Sequence, residues 1–173
     1  DWSSDVCSSD LYFERHDGEA ATVEDFVRCF EDVSKRSLEQ FRLWYSQAGT
    51  PEVQVDATYD AKAKTYALNL KQKVPATPGQ PDKKPMLIPL SLGLIGRNSG
   101  KALPLTLEGE NAQGPEERVL ELDKAETRFV FTGIAEEPAL SLARHFSAPI
   151  VVRQPADHAT RAFLMSQIGR AHV

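Results

Sequence analysis

The sequence predicts an α+β chain in which two to three helices precede a small antiparallel, immunoglobulin-like β-sandwich, followed by the start of another helix. Apolar residues recur at helical spacing before the stretch GTP (49–51) and alternate with polar residues after it. Short apolar stretches then follow one another at turn spacings of about 8 to 12 residues, with no helical stretch between them, as in a sandwich. The stretch ATRAFLMS (159–166) returns to helical spacing.

The first two helices are predicted before Ser37. Residues 12–17 are typical of the last turn of a helix, because Gly18 can take the left-handed conformation that ends one. A second helix is predicted to begin at Thr22, with Asp25 as its capping-box partner. Its apolar face contains Val23, Phe26, Val27, Phe30 and Val33.

A third helix is predicted to begin at Ser37, with Gln40 repeating the capping pattern, and to end before Gly49. Its apolar face contains Leu38, Phe41, Trp44 and Tyr45. Two and a half helices provide only half of a hydrophobic core. We therefore expect the rings of Phe26, Phe30, Phe41 and Trp44 to be more exposed than their spacing requires.

The second part of the chain is predicted to form strands. Residues 53–59 and 66–70 alternate around the turn DAKAK (60–64), which indicates a hairpin. After the proline-rich connector VPATPGQPDKKP (74–85), one strand face is predicted to contain Ile88, Leu90, Leu92 and Leu94. Further strands are predicted at ALPLTL (102–107), RVLEL (118–122) and RFVFTG (128–133), the last with Phe129 and Phe131 on one side, and a final extended pair spans 139–153.

Both ends of the chain are predicted to be non-native. If DVCSSD (5–10) is written as GAC GTG TGC TCT TCC GAT, the opposite strand reads ATC GGA AGA GCA CAC GTC, which encodes IGRAHV (168–173). The two ends therefore resemble one sequencing adapter translated on both strands. We predict that residues 1–11 and 167–173 are adapter-derived artefacts, and that residues 12–166 are a fragment of a longer protein.

Composition excludes several classes of function. The formal net charge of −5 gives no basic surface for nucleic acid or for an anionic membrane, so neither partner is expected. No apolar stretch approaches the roughly 20 residues of a membrane-spanning helix. Cys29 is the one cysteine within residues 12–166, which predicts no internal disulfide and a cytoplasmic location. Lys83 and Lys84 lie among prolines and are expected to form a solvated loop.

No catalytic, substrate-binding or metal-ligating residue is predicted in this chain. His16, His145 and His158 lack the spacing of zinc ligands on a helix. Cys29 lies in an amphipathic helix and is interpreted as a buried structural thiol rather than a nucleophile. The stretch GLIGRNSG (93–100) matches neither phosphate-binding glycine pattern, and a strand that runs into a hairpin turn explains it better.

Several stretches resemble the bacterial aminopeptidase N family of zinc metallopeptidases. They are YFERHDGEAATVEDFV (12–27), FRLWYSQAGTP (41–51), VPATPGQP (74–81), FVF (129–131) and HFSAPIVV (145–152). The resemblance implies three regions. Residues 12–49 would be the C-terminal helices of a thermolysin-like catalytic domain, 50–153 its β-sandwich domain, and 154–166 the start of a C-terminal helical domain.

The resemblance also implies a parent enzyme that removes N-terminal amino acids from peptide substrates. Its zinc would be bound by an H-E-x-x-H helix and a downstream glutamate, and these motifs are absent from residues 12–166, so the fragment itself would bind no zinc. The fragment is then expected to be inactive, to close the catalytic core, and to space the domains through contacts with the missing catalytic and helical domains. Two alternatives remain open: a stand-alone immunoglobulin-like binding module, and a non-catalytic paralogue of the peptidase.

Overall fold

A computed structural model of the chain describes residues 2–167, with side chains described from residue 8 onward. The chain divides into two compact units after Gln47. The first unit is helical and the second contains all the strands in the described part of the chain. The fold class predicted from the sequence, helices followed by an antiparallel-rich sandwich, is confirmed.

The first unit begins with α1 (Trp2–His16) and α2 (Val23–Ser34). The capping box predicted for α2 is confirmed, since the Thr22 hydroxyl accepts a hydrogen bond from the Asp25 N–H and the Asp25 carboxylate accepts one from the Thr22 N–H. The sequence predicts only the last turn of a helix at residues 12–17, whereas α1 also includes residues 2–11. No glycine or proline precedes Gly18, so nothing in that stretch interrupts a helix.

The predicted third helix is much shorter than expected. Helix α3 spans only Leu43–Ser46, and the Ser37 hydroxyl accepts a long hydrogen bond from the Glu39 N–H instead of capping a helix at Gln40. The reason lies in Glu31 on α2, whose carboxylate accepts hydrogen bonds from the Leu38 N–H and from the Arg42 guanidinium. Residues 35–38 form a non-helical connection, and residues 39–42 form a turn in which the Arg42 N–H donates to the Leu38 carbonyl oxygen.

The aromatic side chains of the first unit are incompletely covered. Phe26 is 39% exposed, and Phe30, Phe41 and Trp44 are only half-buried. Phe26 makes edge-to-face contacts with Tyr12 and Phe30, at ring-centroid distances of 5.2 and 4.9 Å. The predicted exposure of these rings is therefore confirmed.

Nine strands lie in the part of the second unit that the structure describes, residues 48–167. In chain order they are β1 (Glu52–Asp60), β2 (Thr65–Lys73), β3 (Ile88–Gly96), β4 (Ala102–Leu103), β5 (Thr106–Leu107), β6 (Arg118–Leu122), β7 (Glu126–Thr132), β8 (Pro138–Leu142) and β9 (Val151–Arg153). The predicted β1–β2 hairpin is confirmed, with antiparallel pairing from Glu52–Lys73 to Asp60–Thr65. Its turn is closed by the Asp60 carboxylate, which accepts hydrogen bonds from the N–H groups of Lys62 and Ala63.

The strands form two sheets. The first sheet has the strand order β5-β7-β2-β1-β9. In the second sheet β3 is central and pairs antiparallel with β4, β6 and β8. The stretch ALPLTL does not form one strand, because β4 joins the second sheet and β5 the first. The chain changes sheets at Pro104 and at Leu105, whose side chain is fully buried.

The prediction that residues 139–153 contain two strands paired with each other is wrong. Strand β8 pairs with β3, whereas β9 pairs in parallel with β1 in the other sheet. Between them lies a single 3-10 turn (Arg144–Phe146), in which His145 and Phe146 have positive φ angles of 54° and 52°. This turn redirects the chain from one sheet to the other, so the two strands cannot form a hairpin.

The core lies between the inward faces of the two sheets. Alternate residues of β2 are buried, as are Val53 and Val55 on β1 and every residue of β3 except Pro89, and β6 and β7 add further apolar side chains. The fully buried members include Val53, Leu68, Leu70, Ile88, Leu90, Leu92, Leu94, Leu122 and Phe131. Burial at about 25 cal/mol per Å² of apolar area makes this layer the main source of stability in the second unit.

The predicted final helix is confirmed as α4 (His158–Gln167). The Asp157 carboxylate accepts a hydrogen bond from the Thr160 N–H, which caps its first turn. Arg97, after β3, donates a hydrogen bond from Nη2 to the Thr160 hydroxyl at 2.6 Å and so ties α4 to the sandwich. Within the described range 2–167, no helix combines the length and the apolar character needed to cross a membrane.

Candidate functional site

The residues considered as ligands or nucleophiles lie on separate elements. His16 ends α1, His145 lies in the 3-10 turn, and His158 begins α4. Among the residues that the structure describes, no group of three or more His, Cys, Asp or Glu side chains is arranged to hold a metal ion. Cys29 is fully buried, with Sγ 3.4 Å from the Asp25 carbonyl oxygen, which confirms the interpretation of a buried thiol.

A polar cluster in the sandwich is centred on Glu117. Its carboxylate accepts a hydrogen bond from the Ser91 hydroxyl at 2.8 Å and one from Arg144 Nη1 at 3.1 Å, and His145 Nε2 lies 3.1 Å from the same carboxylate. Arg144 also donates from Nε to the Ser141 hydroxyl. The cluster thus joins β3, β8 and the 3-10 turn to the loop before β6.

The cluster contains the residue types of a serine hydrolase triad but not its geometry. In a triad the histidine lies between the serine and the carboxylate and accepts the serine proton. Here Ser91 and His145 both interact with Glu117, and Ser91 is only 3% exposed. The Ser91 hydroxyl therefore donates to the carboxylate instead of to an imidazole and has no access to a substrate, so the cluster is a structural brace.

The pKa of Glu117 gives this brace a dependence on pH. Burial acts to raise the pKa, but hydrogen bonds from Ser91 and Arg144 outweigh it, and the pKa of the carboxyl lies below its ordinary value. A lowered folded-state pKa stabilises the fold above the unfolded-state pKa, about 4.3 for Glu, and this contribution is lost as pH falls through the folded-state value.

We therefore expect the difference in unfolding free energy between the wild type and Glu117→Gln to shrink as pH falls from about 6 to about 3. Urea denaturation at several pH values measures this difference. The control is Glu116→Gln, which removes the neighbouring exposed carboxylate. Parallel pH profiles for the two variants would contradict the role given to Glu117.

A polar cleft of about 620 Å³ lies over β1, β2 and β9. Its polar lining includes Gln54, Asp56, Asn69, Lys71, Arg153 and Arg161. Two of its cations have carboxylate partners within the sandwich, since Lys71 pairs with Glu126 and Arg153 with Glu52. The cleft therefore presents a solvated, largely neutralised sheet face and no nucleophile paired with a base.

Sequence reasoning missed the residues that organise the second unit. Lys83, expected in a solvated loop, is half-buried and donates three hydrogen bonds to protein oxygens, so that expectation is wrong for this residue. Glu117 gave no local signal, because its partners lie 26 or more positions away. The three acceptors of Lys83 include the Ala48 carbonyl oxygen, 35 positions away, which the local sequence does not indicate.

Comparison with known proteins agrees with this sandwich. Residues 49–155 match the family model described as a domain of unknown function (DUF3458) with an Ig-like fold. Aminopeptidase N of Escherichia coli (strain K12) is 43% identical over 155 residues, which are 90% of this chain and 17% of that protein. Aminopeptidase N of Haemophilus influenzae is 40% identical over 140 residues, which are 81% of this chain and 16% of that protein.

A solved structure shows the same relationship. Aminopeptidase A of Legionella pneumophila, crystallised in complex with aspartic acid, superposes with a TM-score of 0.72 at 26% identity, over 91% of this chain and 16% of that one. The chain spans only 15–17% of the length of the curated relatives. Because the family model covers more than half of the chain, the protein belongs to the DUF3458 family of immunoglobulin-like domains and is homologous to bacterial aminopeptidase N.

Proposed function

We propose that this chain is a non-catalytic portion of a cytoplasmic zinc aminopeptidase that removes N-terminal amino acids from peptides. The observation that carries the proposal is the 43% identity to an aminopeptidase N over 90% of the chain. In this proposal residues 12–49 close the core of the catalytic domain, residues 50–153 form a sandwich that spaces the domains, and residues 154–166 begin a helical domain.

The residues that the structure describes do not fit a zinc site. The described residues contain no cluster of His, Cys, Asp or Glu able to hold a metal ion, and the H-E-x-x-H pattern is absent from the sequence. Zinc would activate water for peptide hydrolysis in the parent, and its ligands would come from sequence outside this chain. The chain's contribution is therefore structural.

The exposure of the first unit supports this role. Phe26 and Tyr45 are 39% and 54% exposed, and Phe13 is 61% exposed. Aromatic side chains of this size stabilise a fold by about 1.5 to 3 kcal/mol each when fully buried. The remainder of a catalytic domain would cover them, and intramolecular contacts are the partners that we propose for this surface.

We expect the 173-residue chain to release no amino acid from an alanyl chromogenic substrate, with or without added zinc, because it lacks the ligands and the base. Absorbance of the released chromophore measures the activity. Reproducible activity that a chelator abolishes would overturn this expectation.

The parent is tested by extending the reading frame upstream in the source DNA. We expect an H-E-x-x-H motif followed by a glutamate about 20 residues later. A longer frame that lacks this motif would favour the non-catalytic paralogue. A stand-alone binding module would be favoured if residues 50–153 folded alone and exposed a large apolar or aromatic patch.

A further inference from the structure

The chain enters the sandwich through a short junction, residues 48–51, which lies beside the proline-rich connector 74–85. Such a junction is a place where flexibility is expected by default, since few contacts normally cross a boundary between compact units. In this chain the contacts made by the junction with the connector are specific. Both backbone polar groups of Ala48 are bound by connector side chains.

Lys83 is the centre of these contacts. Its Nζ donates hydrogen bonds to the Ala48 carbonyl oxygen at 2.8 Å, the Thr77 hydroxyl at 2.8 Å and the Gln80 Oε1 at 2.9 Å. An ammonium group has three donors, so all three are used. Hydrogen bonds from a charged donor contribute more than neutral ones. Lys83 is thus held in one position and in turn holds Ala48.

Gln80 completes the arrangement from the other side. Its Oε1 accepts a hydrogen bond from the Ala48 N–H at 2.8 Å, in addition to the one from Lys83. Gln80 is itself fixed to Thr77 by two backbone hydrogen bonds, one in each direction. The connector is therefore a closed turn that presents an acceptor and a cation to the same residue.

Gly49 shows how closely the two segments approach. Its φ angle is +103°, which other residues adopt only with strain. A Cβ added there would lie 3.2 Å from the Pro75 carbonyl oxygen and 3.3 Å from the Thr77 methyl group. The backbone of the junction is thus packed directly on the connector, and only glycine allows this path.

We propose that Lys83 and Gln80 form a latch that holds the junction in a single conformation, so that the chain enters the sandwich along a fixed path. The connector is then a positioning device rather than a passive loop. This inference rests on the proposed function for its consequence, because a sandwich that spaces two domains needs an ordered junction.

The test is hydrogen exchange at the Ala48 amide in the 173-residue chain. In Lys83→Met, which keeps the aliphatic stem and removes the three donors, Ala48 should exchange at least about tenfold faster while the amides of β1 and β2 keep their protection. In Gln80→Leu, which removes the acceptor, the Ala48 amide should also lose protection. The control is Lys62→Met in the exposed β1–β2 turn, which should leave Ala48 unchanged.

Two results would overturn the latch. One is an Ala48 amide that already exchanges in the wild type at the rate of an unprotected amide. The other is an Ala48 rate within about twofold of wild type in the latch variants. If Lys83→Met does not fold, the exchange rate of the Ala48 amide in Gln80→Leu tests the latch, since that variant leaves the lysine in place. Failure of the latch can be distinguished from failure of the aminopeptidase proposal, because hydrogen exchange at Ala48 does not depend on peptide hydrolysis.

Discussion

Replacing Gln72 by leucine is expected to destabilise the sandwich by about 3 to 4 kcal/mol, because it leaves several buried backbone groups without partners. Gln72 lies on β2 and is 7% exposed. Its Nε2 donates to the carbonyl oxygens of Met86, Lys124 and Leu122 at 2.8, 3.0 and 3.2 Å, and its Oε1 accepts from the Met86 N–H at 2.8 Å. One side-chain amide thus joins β2 to the end of β6 in the opposite sheet.

The size of the effect follows from the geometry of the amide. An NH₂ group has two hydrogens, and three carbonyl oxygens surround it here, so one hydrogen is shared. Leucine has a similar volume and fills the same space, which excludes the water that would otherwise replace these bonds. Each group left unsatisfied costs about 1 to 3 kcal/mol, and the groups share one donor, so the total is less than the sum.

Urea denaturation followed by circular dichroism measures this loss. The matched control is Gln54→Leu on β1, where the side chain is exposed and a change within about 0.5 kcal/mol is expected. Equal unfolding midpoints for the two variants would show that Gln72 does not bridge the sheets in solution.

The position of Gln72 was available from the sequence, although its role was not. Tyr66, Leu68 and Leu70 alternate along β2, and Gln72 continues the same alternation into the core. A polar residue at an inward position indicates a bridging group, since buried polar side chains are almost always hydrogen-bonded. Its partners could not be named, because two of them lie 50 or more positions away.

Elements determined by neighbouring residues were predictable. The capping box at Thr22 needs only Asp25, and the hairpin turn needs only Asp60 and the backbone that follows it. Both were predicted at the correct residues. Their hydrogen bonds close within three positions, so the local sequence contains all the information required.

Elements determined by distant residues were not predictable. The extent of α3 depends on Glu31, which binds Leu38 and Arg42 from another helix. The assignment of β8 and β9 to different sheets depends on a turn with positive φ angles at His145 and Phe146, which the alternation of apolar residues does not indicate. The Glu117 brace depends equally on a fold that brings separate strands together.

Replacing Phe131 by alanine is expected to destabilise the chain by about 3 to 5 kcal/mol, the usual range for a fully buried phenylalanine. Phe131 lies on β7, where it pairs with Tyr66 on the neighbouring strand β2 and with Leu107 on β5, the strand on the other side of β7. None of its surface is exposed. Alanine would leave a cavity between three strands, which the paired backbones on either side prevent from collapsing.

Phe129→Ala provides the matched control, since Phe129 lies two positions earlier on the same face of β7. Its strand partner is Leu68, but β5 ends at Leu107 and does not extend beside it, so its ring is only half-buried. We expect Phe129→Ala to lower the unfolding free energy by less than half as much as Phe131→Ala, because folding buries less apolar area of the Phe129 ring. The alternation of residues along β7 places both rings on one face. The chain changes sheets at Leu105 and so brings β5 beside Phe131, which is why the Phe131 ring is the one that is covered. Equal losses measured by urea denaturation would contradict the pairing of β5 with β7.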